Sequence, residues 1–309
     1  MEDRPSFQSN IYFIMDVPRV GYIGLGDMGG LICAALVRAA INTVVFDVAA
    51  ERIAPLAEAG AYPATSPLDV ARRSDVIFLC VVNDAQVRDV LFGHDGLAGG
   101  LDMSKLVVVN SSVSPETIRS IAASPQINGA ALLDAPVSGS RPAAREGRLT
   151  VMIGGDAESV SRVRPILETF CSTIFHVGPL GTGQSMKIAN NVMLHMNHLI
   201  ALEALRFARS QGIDEKSLIS VVNASTGRSW VTETWGLIDQ MMMDHPQAGT
   251  SAMYGMMSKE LWNAVLLSHD APVPVPFTAL GAQLSRSYFE EREGDLKRSP
   301  SPATVELRQ

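Results

Sequence analysis

Short apolar runs alternate with amphipathic stretches through the first half of the chain, and the pattern changes after residue 183. Residues 19–23, 42–46, 75–82, 106–110 and 131–134 are rich in Val, Ile and Leu and are bounded by Gly, Pro, Asp or Ser. That is the pattern of short strands buried on both faces. Between them, 29–40, 49–59, 67–72, 86–92 and 115–123 read as helices, with Ser66 and Ser114 as N-caps before Pro67 and Pro115. Two more strands, 149–153 and 173–176, flank a helix at 159–170. Strand and helix alternating at this spacing predict an α/β domain built on a doubly wound parallel sheet.

From 184 to 211 the chain is one long apolar-periodic segment without Pro or Gly, closed by Gly212. Helices follow at 215–224, 232–243, 256–268 and 277–291, separated by loops that carry Gly or Pro. This predicts a second, all-α domain at 183–297 behind a first domain at 19–182. The run of alternating Pro and Val at 272–276 reads as a stiff connector. Residues 1–18 are expected to form an N-terminal arm and 298–309 a flexible tail.

Composition narrows the classes of function. The 309 residues suffice for two domains, and 47% hydrophobic with 18% charged residues excludes a disordered chain. Lys plus Arg number 25 against 32 for Asp plus Glu, a net charge of −7, which argues against nucleic-acid binding. No apolar run reaches the roughly 20 residues a membrane span needs, and 1–18 lack the basic start and apolar centre of a targeting signal. Cys33, Cys80 and Cys171 are scattered and odd in number, which suits a reducing cytoplasm and no disulfide framework. His195 and His198 stand three apart without a third ligand, so a helix-interface role is favoured over a metal site.

The first strand runs straight into Gly24-Leu25-Gly26-Asp27-Met28-Gly29 and then a helix. In this context GxGxxG marks a dinucleotide-binding turn of the Rossmann type, with the pyrophosphate at the helix N-terminus. Asp47 closes the next strand about 20 residues on, where an acid accepts ribose hydroxyls and repels an added 2′-phosphate. Val48 follows it, and Arg52 is the nearest cation. NAD is therefore favoured over NADP.

Three later segments narrow the field. Asp134-Ala135-Pro136-Val137-Ser138-Gly139 is followed by Ala144, Gly147, Leu149 and Gly154-Gly155. Gly181-x-Gly183-x-x-x-Lys187-x-x-Asn190-Asn191 opens the long helix, and Lys259-Glu260-Leu261 lies further on. Together with the glycine turn these resemble the β-hydroxyacid dehydrogenase family over about residues 19–297. Residues 223–230 resemble the 3-hydroxyisobutyrate branch in particular.

The resemblance implies an NAD-dependent oxidation of a small β-hydroxy acid in a cleft between the domains, with Lys187 as general acid/base. A partly buried lysine near a cofactor's charge can exchange protons near neutrality. Two of the chain's five lysines, Lys187 and Lys259, fall on family positions. Asn191, one turn beyond Lys187, is implied to bind substrate and orient the lysine, with an inter-domain cap as its plain alternative. Ser138 and Gly139 would hold the substrate carboxylate. Ser140 stands where the family has a second glycine. Arg228 and Trp230 are further substrate candidates, or else cap and interface residues. Val81, Val82, Ser112 and Lys259 would touch the dinucleotide, with ordinary strand core as the alternative for the Val pair. Ala252 and Met253 replace the usual aromatic residue, with Tyr254 a candidate substitute. A homodimer or homotetramer built on the helical domains is implied as well. An NADPH-dependent semialdehyde reductase and a non-catalytic dinucleotide-binding scaffold stay open as alternatives.

Overall fold

The computed structural model describes residues 18–244, 249–270 and 273–298, with the side chains of 242–254, 256 and 270 outside that description. The expected arm and tail thus fall, but for Pro18 and Arg298, outside the described residues, as does Pro272 of the connector. Two compact units divide the chain at Ser185 and Met186.

Unit 1 is a single sheet with helices. Its strands are β1 Val20–Ile23, β2 Thr43–Phe46, β3 Tyr62–Pro63, β4 Val76–Leu79, β5 Leu106–Val109, β6 Ala131–Asp134, β7 Val137–Ser138, β8 Leu149–Gly154 and β9 Cys171–Gly178. The order is β3-β2-β1-β4-β5-β6-β8-β7, with β9 paired to β8. The first six strands are parallel, in register from Val20 against Thr43 and Val76 to Val109 against Asp134. The parallel sheet predicted from sequence is therefore present, but it continues as a mixed sheet. There β8 runs antiparallel to β6 and β7 and parallel to β9.

The strands alternate sides, and both sides are covered. Val20, Tyr22, Phe78, Val108 and Leu133 enter one core. Ile23, Ile77, Leu79, Val107, Val109 and Leu132 enter the other. Burial on both faces makes these strands read as unbroken apolar runs. The covering helices are α1 Gly29–Arg38, α2 Ala50–Glu58, α3 Pro67–Arg73, α4 Asp84–Phe92, α5 Pro115–Ala122, α6 Ser140–Arg145 and α7 Ala157–Leu167. Ser66 and Ser114 cap α3 and α5 through side-chain oxygens that accept the amides of Asp69 and Glu116.

Unit 2 is helical, consisting of most of α8 Thr182–Ser210, then α9 Glu215–Asn223, α10 Trp230–Glu233, α11 Leu237–Asp244, α12 Gly249–Asp270 and α13 Pro276–Arg298. The single helix predicted at 232–243 is split, because Gly236 takes a φ of +90°, which a helix interior does not accept. Leu199, Met257, Leu261, Ala282 and Phe289 form its core. Beside them the buried Arg292 guanidinium meets Glu215 at 2.8 Å and Asp239 at 2.6 Å, and the Trp235 indole N–H donates to Glu215 at 2.7 Å. His198 packs edge-on against Trp235 and Phe289, a helix-interface role.

One face of α8 stays uncovered. Met186, Met193, Ile200 and Phe207 are between 46% and 69% exposed. They recur every seven residues, the spacing of a seam between packed helices.

Candidate active site

The carboxyl ends of the parallel strands place the predicted cofactor residues, apart from Lys259 of unit 2, on one edge of unit 1. The strand order reverses between β1 and β4, and it is at such a switch point that open α/β sheets bind ligands. Gly24–Gly29 leave β1, Asp47 follows β2, Val81 and Val82 follow β4, and Ser112 follows β5.

The three glycines of the turn are glycines for different reasons. Gly24 has a φ of +93°, and a Cβ there would lie 2.2 Å from the Cys80 carbonyl oxygen. A Cβ on Gly29 would lie 2.0 Å from the Gly24 carbonyl oxygen, so strand and helix could not close on each other. Gly26 has no such neighbour: its Cβ would meet nothing within 4 Å. The fold does not need that glycine. Open space there, at the N-terminal end of α1, fits a pyrophosphate lying against the backbone. Leu25 turns its side chain into the core, leaving its main chain and the half-buried Met28 and exposed Asp27 at the turn.

Asp47 is 8% exposed and already engaged. Its Oδ2 accepts the Leu25 amide at 2.7 Å, and Oδ1 accepts the Ala49 amide at 2.8 Å. The carboxylate thus shapes the glycine turn from the neighbouring strand and keeps further acceptor capacity for ribose hydroxyls. Arg52 Nη1 lies 3.5 Å from Oδ1, and Val48 is fully turned to solvent.

At the ends of β4 and β5 a residue missed in the sequence organises the edge. Ser111 is buried, and its Oγ accepts the Val81 amide at 2.7 Å. Ser112 beside it stays half-buried, and Val82 is exposed.

The segment after β6 carries the proposed carboxylate holders. Ser138 ends β7 opposite Thr150 of β8. Gly139 has a φ of +134°, and Ser140 a φ of +64°. A non-glycine residue in that left-handed region costs about 1–2 kcal/mol. Ser140 thus keeps the backbone a glycine would give and adds a half-buried side chain two residues after Ser138.

Asp134, fully buried at the end of β6, does something its motif did not reveal. Its Oδ1 accepts the Gly181 amide and its Oδ2 the Gln184 amide, both at 2.7 Å. These are first-turn donors that α8 cannot satisfy itself. Burial pushes the Asp134 carboxyl up from its ordinary value, and those amides hold against the rise. Gln184 completes the anchorage, donating to the Ser111 carbonyl at 2.8 Å and accepting the Val113 amide at 3.1 Å.

In unit 2, α8 carries Lys187 half-buried and Asn191 buried one turn later on the same face. Burial pushes the Lys187 ammonium below its ordinary value, and the Glu260 carboxylate partly opposes that shift. Asn191 Oδ1 accepts the Asn190 side-chain amide at 3.2 Å. His195, a further turn on, lies with Nε2 2.5 Å from Glu260 Oε2 of α12. Lys259 is half-buried on α12. Arg228 and Trp230 are exposed where Ser229 caps α10, Ser229 and Thr232 bonding reciprocally. The side chains of Ala252, Met253 and Tyr254 lie outside the described residues.

A glycine-rich Rossmann turn with a buried acid after the next strand, followed by a helical unit that carries a half-buried lysine, is the arrangement of a dinucleotide-dependent oxidoreductase. Residues 19–178 match the family described as the NAD binding domain of 6-phosphogluconate dehydrogenase. Residues 181–300 match that described as the NAD-binding of NADP-dependent 3-hydroxyisobutyrate dehydrogenase. A 3-hydroxyisobutyrate dehydrogenase of Pseudomonas aeruginosa is 33% identical over 271 residues, covering 86% of this chain and 90% of that one. An NAD-dependent L-serine dehydrogenase of the same organism is 31% identical over 276 residues, covering 88% and 93%. The solved structure of a 3-hydroxyisobutyrate dehydrogenase of Mycobacterium tuberculosis with L-serine superposes with a TM-score of 0.75 at 26% identity, over 90% of this chain and 94% of that one. The chain belongs to the β-hydroxyacid dehydrogenase family. It is an NAD(P)-dependent oxidoreductase that acts on a CH–OH group. No described helix is long and apolar enough to cross a membrane.

Proposed function

We propose that the enzyme oxidises a small, 3-hydroxyisobutyrate-like β-hydroxy acid to its semialdehyde or keto acid, with NAD preferred over NADP and Lys187 as the general acid/base. The observation that carries this reading is the half-buried Lys187, its ammonium disfavoured by burial, one helical turn before the buried Asn191. The nicotinamide, when bound, supplies the hydride acceptor. Neutral Lys187 takes the hydroxyl proton as hydride leaves the same carbon, and returns it in the reverse direction. Ser138, Gly139 and Asn191 are neutral donors suited to the carboxylate. Ser140, Arg228 and Trp230 tune which acid is accepted. Val81, Val82, Ser112 and Lys259 complete the dinucleotide's surroundings.

Three features bear on the finer parts. Asp47 follows β2, where an acid would accept the ribose hydroxyls of NAD, although the second family description names NADP. Arg52, 3.5 Å from that carboxylate, favours the NADPH-dependent semialdehyde reductase as second reading, and a direct comparison of the two cofactors decides between them. Cys33, Cys80 and Cys171 are separate thiols, as a reducing cytoplasm would leave them.

The substrate test is NADH formation across 3-hydroxyisobutyrate, L-serine, glycerate and threonate, set against matched α-hydroxy acids and plain alcohols. Losing the carboxylate leaves the buried Asn191 and the half-buried Ser138 and Gly139 donors unpaired at about 1–3 kcal/mol each, so plain alcohols should be oxidised at least tenfold less efficiently. Moving the hydroxyl to the α-carbon displaces the reacting hydrogen and should be punished similarly. Efficient oxidation of a primary alcohol, with no gain from an added carboxylate, would defeat the reading.

The seam on α8 belongs to the same proposal as a contact between copies of the chain. Changing Ile200 and Phe207 together to Glu should leave the fold intact, since both are exposed, and convert a dimer or tetramer to smaller species. Sedimentation velocity reads the outcome. An unchanged sedimentation coefficient would remove the seam from the interface.

A further inference from the structure

The proposed chemistry leaves the buried pair His195 and Glu260 without a task. Lys187, Asn191 and His195 follow each other at intervals of four along α8 and so share one face. His195 is 3% exposed, and its ring N–H donates to a Glu260 carboxylate that is itself mostly buried. Glu260 is also the charged group that acts on Lys187. A buried imidazole and carboxylate are an expensive way to pin two helices, because both polar groups must leave water. A Leu pair would pin them at lower cost. The arrangement instead gives Lys187 a carboxylate whose direction and effective charge are set by a third group.

We propose that His195 is a positioning residue for Lys187, acting through Glu260: the imidazole holds the carboxylate in place and takes up part of its charge. This rests on Lys187 being the acid/base of the reaction. A bare carboxylate favours the ammonium form of Lys187. A hydrogen bond donated to Oε2 weakens that pull, so Lys187 is neutral, and able to accept a proton, at lower pH. His198, on α8 itself, feels His195 and Arg292 of α13, and burial with those charges pulls its pKa down to about 3, so it stays neutral. Arg292 is neutralised by Glu215 and by Asp239 of α11. Lys259 shares α12 with Glu260.

The experiment is the pH profile of kcat/KM for the wild type, His195→Leu, His195→Gln and Glu260→Gln, with Lys187→Ala and NAD affinity measured alongside. His195→Leu should move the acid limb up by about half a pH unit or more, because the carboxylate regains its full pull. Glu260→Gln should move it down by a similar amount. His195→Gln keeps an N–H donor and should restore the wild-type limb. Opposite shifts from the two partners of one hydrogen bond are not what a helix pin produces. Acid limbs unmoved by His195→Leu and Glu260→Gln, with Lys187→Ala inactive, overturn this inference and leave the proposed function standing. An active Lys187→Ala overturns the proposed function itself. Should His195→Leu not fold, the other two variants decide, and an unmoved limb in Glu260→Gln overturns the inference.

Discussion

Lys187→Ala lowers turnover by about 10²–10⁴, the usual worth of a positioned acid/base, while NAD affinity stays within a few-fold of wild type. The lysine should not be replaceable by arginine, because a guanidinium does not deprotonate in the working range. Stopped-flow hydride transfer, with cofactor affinity measured on the same samples, separates the proton step from binding. The pH dependence carries a definite sign. Burial lowers the Lys187 pKa from its ordinary value, and in the proposed reaction the neutral form is the base. Oxidation therefore accelerates as pH rises through that lowered pKa and then levels off. Near-normal turnover in the alanine variant would dismiss the assignment.

The second large effect concerns the cofactor. Wild type should use NAD at least tenfold more efficiently than NADP, and Asp47→Ser with Val48→Arg should reverse the preference. A charge-assisted bond to the 2′-phosphate is worth about 1.5–3 kcal/mol, and each 1.4 kcal/mol is a factor of ten, so the new Arg alone should contribute a ten- to a hundredfold swing, to which removal of the Asp47 charge adds. Asp47 also holds the amides of Leu25 and Ala49, so some stability is lost with it. For that reason kcat/KM with both cofactors, taken as a ratio on each protein, is the quantity to compare. Equal wild-type efficiency with NAD and NADP would remove Asp47 from the ribose.

Much of unit 1 is legible in the sequence because the information is local. A strand buried on both faces has to be a Val/Ile/Leu run, and the turn after β1 needs glycine at Gly24 for its own positive φ and at Gly29 for the Gly24 carbonyl five residues back. The short elements β3, β7, α6 and α10 carry too few residues for a period to show. At the site, the residues legible in advance are those with a family motif or a local turn. Ser111 could not be told from Ser112, because which of two adjacent hydroxyls turns inward depends on how β5 ends against β4. The pairing of His195 with Glu260 spans 65 residues of sequence, and no spacing rule reaches across that distance. Asp134 stood in a recognised motif, yet its partners at Gly181 and Gln184 appear only when β6 meets the start of α8.

That last junction has a kinetic meaning. The first turn of a helix is its costly part, three residues fixed for one hydrogen bond, whereas each later residue adds a bond of its own. For α8 the amides of that turn are received by a carboxylate at the end of β6, and the turn lies in the sheet-bearing unit. Nucleation of the 29-residue helix is thus handed to a part of the chain that leaves the ribosome earlier. The sheet can form first and serve as the template from which α8 propagates. The order of synthesis and the order of assembly then coincide.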